Sequence, residues 1–343
     1  TDEGISKSVY NVSNKLINPN ADASAQKLFN YLCDSYGKYT LAGQVCNDGM
    51  DGDEFKAIYA ATGKYPAICG LDFMDYAPSR QARGARSNAG DTALKFHSQG
   101  GIVTFCWHWN APDKYLKSET DANGNPSWWQ GFSTANVSFD IGAVMNGTDP
   151  EGKALIDADI AAIAKLINQM GDAGVPILWR PLHEAGGGWY WWGAAGADSY
   201  EALWELVFYR LTAYHELHNL IWLWNGQSDQ FIVPEETYDI ASVDVYLQPE
   251  MEYGSRYDQF QSLARITDGK KLLARSECSS LPNQEMMQLD RSLWSFFGLW
   301  YGEYLMNENG TFSDTYYSSS DLYNLYNSEL TLSLKDFAGF SGR

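Results

Sequence analysis

The chain has 343 residues, 45% of them hydrophobic, and carries 43 Asp and Glu against 24 Lys and Arg, a net charge of −19. So acidic a chain repels polyanions, which excludes nucleic acid and anionic membranes as partners and leaves a neutral polymer unaffected. No uninterrupted apolar run of about 18 residues occurs, so no membrane-spanning helix is expected, and the length suits one large α/β barrel as well as two smaller domains.

The chain opens at Thr1 with neither Met nor an apolar leader, which fits a mature form whose signal peptide has been removed, and secretion is the expected location. Residues 1–19 read as a lead-in and 20–340 as one catalytic unit. Five cysteines (Cys33, Cys46, Cys69, Cys106 and Cys278) include no CxxC pair, so neither a zinc ribbon nor a thioredoxin site is supported. Sequons stand at Asn11, Asn136, Asn146 and Asn309.

Apolar runs predict strands over Tyr39–Val45, Tyr65–Phe73 and Gly101–Trp109. A loop-rich insertion, Asp113–Pro150, follows and carries Pro126, Trp128 and Trp129. Ile156, Ile160, Ile163, Ile167 and Met170 then recur at helical spacing and predict a helix over Lys153–Met170, ended by Gly174 and Pro176. Val175–Pro181 is the fourth strand. It runs into His183-Glu184, three glycines and the aromatic block Trp189-Tyr190-Trp191-Trp192. A second helix is predicted over Tyr200–His215. Strands follow at Asn219–Trp224, Ile240–Leu247, Lys271–Ser276 and Phe296–Tyr301. Ser341-Gly342-Arg343 reads as a cloning remnant.

Eight strands alternating with helices imply parallel βαβ units. The expected fold class is α/β: a single (β/α)8 TIM barrel with a loop-rich insertion after strand three. The rival is an open doubly wound sheet. It lacks support, because no GxGxxG follows the first strand and no GxxxxGK[ST] loop occurs.

In a barrel, the C-terminal ends of the strands converge on one site. Those ends hold Trp107-His108-Trp109-Asn110, His183-Glu184, Asp244-Val245-Tyr246, Ser276-Glu277-Cys278 and Trp300. Two carboxyls among aromatic platforms suit glycoside hydrolysis, in which one protonates the leaving oxygen and the other attacks or activates water. Arg180 and Arg275 are the ion-pair partners that would instead make Glu184 and Glu277 structural. Trp204, Trp222 and Trp224 read as core. No HExxH spacing occurs, so no metal is expected.

The segment Arg180-Pro181-Leu182-His183-Glu184 with Gly187-Gly188-Trp189-Tyr190-Trp191-Trp192-Gly193 resembles the acid/base signature of glycoside hydrolase family 26, the β-mannanase family. Trp107-His108-Trp109-Asn110-Ala111-Pro112 is similar to the family's third-strand motif, and Ser276-Glu277 fits its nucleophile. The resemblance covers about Asn20 to Phe337. It implies a retaining endo-β-1,4-mannanase, with Glu184 as acid/base and Glu277 as nucleophile. It further implies that Tyr246 holds Glu277 ionised and that His183 and His108 contact the sugar at the cleavage point. Trp189 and Trp300 would stack on the flanking rings, and Trp128 would form a wall on the glycone side. The partners implied are β-mannan polysaccharide and manno-oligosaccharides, acted on by a monomer without a cofactor. A β-1,3-xylanase or mixed-linkage β-glucanase on the same fold, or a sugar-binding protein without turnover, are the alternatives. Cys278, beside the nucleophile, would make the site sensitive to thiol reagents if exposed.

Overall fold

The computed structural model describes residues 7–120, 123–251 and 253–337. The tripeptide 341–343 lies outside them. Eight parallel strands close into a barrel: β1 (Thr40–Val45), β2 (Ile68–Asp72), β3 (Ile102–Cys106), β4 (Ile177–Arg180), β5 (Leu220–Trp224), β6 (Ile240–Val245), β7 (Leu272–Cys278) and β8 (Phe296–Leu299). Each pairs with the next, and β8 returns to β1 through Leu41↔Phe296 to Gln44↔Leu299. All eight strands expected from the sequence are present. A ninth, Thr331–Leu332, joins the first two residues of β1 before β2 begins its pairing; two residues are too few to leave a pattern.

Among the described residues, eight α-helices have six residues or more: α1 (Ala23–Ser35), α2 (Asp53–Thr62), α3 (Ala89–Ser98), α4 (Pro150–Asp172), α5 (Ala197–Tyr209), α6 (Tyr257–Ile266), α7 (Gln284–Leu289) and α8 (Ser319–Asn327). The helix expected from Lys153 starts earlier, because Pro150 takes the first helical position and Asp149 caps it by accepting from the Gly152 N–H at 2.9 Å. Its five apolar positions are all 1% exposed or less. Burying each contributes roughly 1.5–3 kcal/mol. The helix expected to reach His215 passes into a π-helical turn, Arg210–Tyr214.

The alternation fails once. Residues 225–239, between β5 and β6, hold only the 3-10 turns Asp229–Phe231 and Glu235–Thr237. At the N-terminal end of these strands lie α1 and its lead-in. The Asp22 N–H donates to the His218 carbonyl at 2.8 Å, and the Ile17 N–H donates to Asp239 at 2.8 Å. The Leu293 N–H donates to the Tyr10 hydroxyl at 3.0 Å. Leu28, Phe29 and Leu32 are buried beneath. A helix that precedes the barrel therefore closes its floor. Trp204, Trp222 and Trp224 are core, at most 1% exposed.

One buried carboxyl has no ion-pair partner among the described residues. Asp159, on α4, is 4% exposed and accepts from the Trp109 indole at 2.8 Å. Burial pushes its pKa up to about 7. The folded state keeps a proton that the unfolded chain releases near pH 4, so stability is lost as pH rises from about 4 to about 7 and stays lower above. We predict that Asp159→Asn raises Tm at about pH 8 and leaves it unchanged at about pH 4. Calorimetry at both pH values checks this, and an equal effect at each would disprove it.

Candidate active site

The ends of β3, β4, β6, β7 and β8 surround a cleft of about 520 Å³, lined by His108, Glu184, Trp189, Tyr190, Gln227, Asp244, Tyr246, Glu277, Trp300 and Tyr304. Hollows of similar size lie beside Asp239 and beside Tyr253, but neither is lined by Glu184 or Glu277. Carboxylate oxygens of Glu184, Asp244 and Glu277 fall within 4.8 Å of one another.

Each carboxylate is aimed by a local irregularity. Glu184 sits in the left-handed region at φ 56°, two residues after Leu182 at φ 52°. Such a conformation costs on the order of 1–3 kcal/mol and persists only when its surroundings fix it. Here the Glu184 N–H donates to both the carbonyl and the side-chain oxygen of Asn225, at 2.8 and 2.9 Å. Glu277 follows a register shift in β7: Val243 pairs with Arg275, then Asp244 pairs with Glu277. Ser276 is the extra residue, and such a bulge re-aims the side chain that follows. Ser276 and Glu277 thus both point inward, while Arg275 packs outside against Met287, Tyr253 and Trp294.

Arg180 is not the partner of Glu184. It donates to Asp244 at 2.9 Å and to Glu277. Arg275 is not the partner of Glu277 either. Asp244 also accepts from the Ser276 hydroxyl at 2.7 Å and from Asn225 at 3.1 Å. The Tyr246 hydroxyl donates to Glu277 at 2.7 Å, and the Trp189 indole donates to Glu184 at 3.0 Å.

One guanidinium faces three carboxyls, so a proton stays. Burial raises the Glu184 pKa far above the carboxylate range, the charges of Asp244 and Glu277 add to this, and Arg180 opposes it. Burial and Asp244 also raise Glu277, but Arg180, His108 and the Tyr246 hydroxyl all pull it down. Glu184 is the one that keeps the proton.

A second network holds the histidines. Asp72, at the end of β2, accepts from the His108 N–H at 3.0 Å and lies 2.5 Å from its Nδ1. Burial disfavours charge on His108, but Asp72 outweighs it and the pKa is raised. His108 Nε2 stands 3.2 Å from both the Tyr190 hydroxyl and His183 Nε2. Burial, then Arg180 and His108, push His183 well below the usual histidine range, so it stays neutral.

Of the aromatic block, Trp189 is 47% exposed and Tyr190 half-buried, whereas Trp191 and Trp192 are fully buried. The latter two are scaffold: their indoles donate to the carbonyls of Trp109 and His183. The glycines serve Trp189. Its ring lies where a Cβ on Gly187 would sit, 2.1 Å away, and Gly188 has φ 72°. Trp128 is not among the residues lining the cleft and lies beneath the guanidinium groups of Arg80 and Arg83 at 5.5 and 5.8 Å. Cys278 is fully buried with its thiol pKa raised, so it offers no accessible thiolate.

Asp72, Arg180, Tyr190 and Asn225 belong to the site without having been assigned to it from sequence, and Asp244, placed there by its strand end, had been given no role. Reading the ends of the second and fifth strands would have found Asp72 and Asn225.

A profile of glycosyl hydrolase family 26 matches residues 17–333. A mannan endo-1,4-beta-mannosidase of Thermothelomyces thermophilus is 37% identical over 331 residues, 96% of this chain and 65% of that protein. Mannan endo-1,4-beta-mannosidase B of a Piromyces species is 30% identical over 95% of this chain and 54% of its own length. The chain thus spans about half to two thirds of these relatives. The crystal structure of the Podospora anserina GH26-CBM35 β-(1,4)-mannanase superposes with TM-score 0.87 at 36% identity, covering 96% of this chain and 70% of that one. That of a β-mannanase from a symbiotic protist of the termite Reticulitermes speratus, complexed with gluco-manno-oligosaccharide, gives 0.80 at 29% identity, covering 96% and 98%. The profile spans all eight barrel strands, and the chain belongs to glycosyl hydrolase family 26.

Proposed function

We propose that the chain is a retaining endo-β-1,4-mannanase. The observation that carries the reading is the Glu184–Glu277 pair, with carboxylate oxygens within 4.8 Å at the mouth of the barrel. Retaining enzymes hold their carboxyls about 5–5.5 Å apart, and inverting ones leave about 6.5–9.5 Å for a water. In the first step Glu277 attacks the anomeric carbon while Glu184 gives its proton to the departing oxygen. In the second, Glu184 takes a proton from water, and that water releases the sugar from Glu277 with its configuration kept. Asp244 and Arg180 position Glu277, and Tyr246 holds it ionised. Trp189 and Trp300 offer apolar faces to sugar rings, and His108 and His183 face the hydroxyls. The mannan specificity rests on the named relatives. A polysaccharide does not cross a membrane, so we place the activity outside the cell.

The test is a panel of β-mannan, glucomannan, xylan and mixed-linkage β-glucan. Mixed manno-oligosaccharides should appear early, and proton NMR should find the first product as the β-anomer. Release of mannobiose alone, faster hydrolysis of β-glucan, or an α-anomer would each refute part of the reading. The pH profile follows from the two carboxyls. Activity should rise as Glu277 loses its proton and fall at higher pH as Glu184 loses its own, giving a bell for kcat/KM. A flat profile from acid to alkaline pH would count against the pair.

A further inference from the structure

Beside the cleft lies a group of ligating side chains, one of which the sugar chemistry leaves idle. Cys106, the last residue of β3, is 7% exposed, and its Sγ lies 3.9 Å from His108 Nδ1. That nitrogen lies 2.5 Å from Asp72 Oδ2. A sulfur, an imidazole nitrogen and a carboxylate oxygen thus fall within 4.8 Å of one another. The barrel ladder sets their spacing, because Asp72 and Cys106 are paired residues of β2 and β3. A cavity of about 40 Å³ opens beside Asp72 and Cys106, lined also by Asn47, Thr104, Trp300 and the cationic Arg180, with His108 outside its lining. One water-sized sphere needs roughly 10–15 Å³, so an ion and a bound water have room.

We propose that Asp72, Cys106 and His108 form a site for a thiophilic divalent cation of the zinc class, and that its occupation inhibits the enzyme. Zinc bonds of about 2.3 Å to sulfur and 2.0–2.1 Å to nitrogen and oxygen imply tetrahedral edges of roughly 3.3–3.6 Å. The observed pairs reach this if sulfur and nitrogen close slightly and nitrogen and oxygen open by less than about 1 Å. A water in the cavity completes the tetrahedron. The thiolate selects zinc over magnesium or calcium, which prefer all-oxygen sites such as the Glu184, Asp244 and Glu277 group. Binding releases the Cys106 thiol proton to solvent, and His108 Nδ1 gives up its own, to solvent from the imidazolium or to Nε2 from the neutral ring, so that neutral imidazole is the ligand. No electron moves. His108 is then drawn toward the cavity and away from Tyr190 and His183, its 3.2 Å neighbours. The inhibitory half rests on the role proposed above for His108; the binding half does not.

Cobalt(II) is the probe for binding, titrated into the full chain. A thiolate-to-cobalt charge-transfer band should appear in the near ultraviolet, vanish in Cys106→Ser and be displaced by zinc. Zinc should also slow mannan hydrolysis reversibly, with EDTA restoring it. Cys106→Ser should keep its metal-free activity while its half-inhibitory zinc concentration rises at least about tenfold. Absence of the band in the wild type, or its survival in Cys106→Ser, overturns the site. A band without zinc inhibition of a working mannanase overturns the inhibitory half. If Cys106→Ser does not fold, Cys106→Ala takes its place, and the wild-type titration decides alone. A cobalt band in a protein inactive on mannan supports the site and refutes only the substrate reading.

Discussion

Glu277→Ala is expected to lower turnover on every β-mannoside by on the order of 10⁴-fold or more, because no other group can form the covalent intermediate. The loss should not reflect unfolding. Arg180 keeps Asp244 as its partner, and Asp244 keeps Ser276 and Asn225 as donors, so no buried charge is left alone. Near-ultraviolet circular dichroism should match the wild type. Equal losses for polymer and activated aryl mannoside mark the nucleophile. A variant that retained a tenth of the activity would remove Glu277 from that role.

Glu184→Ala should divide substrates by leaving group. Mannan needs a proton on its departing oxygen and should slow by about 10²–10⁴-fold. An aryl mannoside with an acidic phenol needs none, so the intermediate should form quickly and decay slowly, visible as a burst of phenol. Added azide should restore turnover and give a β-mannosyl azide. The bell-shaped profile should lose its alkaline limb, since Glu184 supplies it. Identical losses on both substrates would break the assignment.

The barrel was legible because its strands are nearly continuous apolar runs, and because strand ends in this fold converge. That rule brought His108, Glu184, Tyr246, Glu277 and Trp300 to one cleft. Three things were hidden. Strict alternation from an inward Ser276 would turn Glu277 outward, and only the register shift in β7 keeps it in the cleft. The left-handed Glu184 depends on Asn225, 41 residues away, which no local pattern links to it. The aromatic block reads as four platforms, yet two of its rings are consumed in holding the loop, because indole N–H groups serve buried carbonyls as well as they face sugars. The arginines over the Trp128 ring come from a different crossover, so no local pattern links them to it.

The floor of the barrel has a bearing on how the chain is made. The lead-in and α1 are synthesised before every barrel strand, yet their partners His218, Asp239 and Leu293 lie some 200 residues or more downstream. β1 likewise waits for β8. Contacts this distant in sequence are slow to form, and domains beyond about 150 residues commonly fold through intermediates that expose apolar surface. During translation the apolar face of α1, with Leu28, Phe29 and Leu32, therefore stays uncovered until β5 and β6 have left the ribosome. A helix that emerges ahead of the barrel strands is among the last elements to dock.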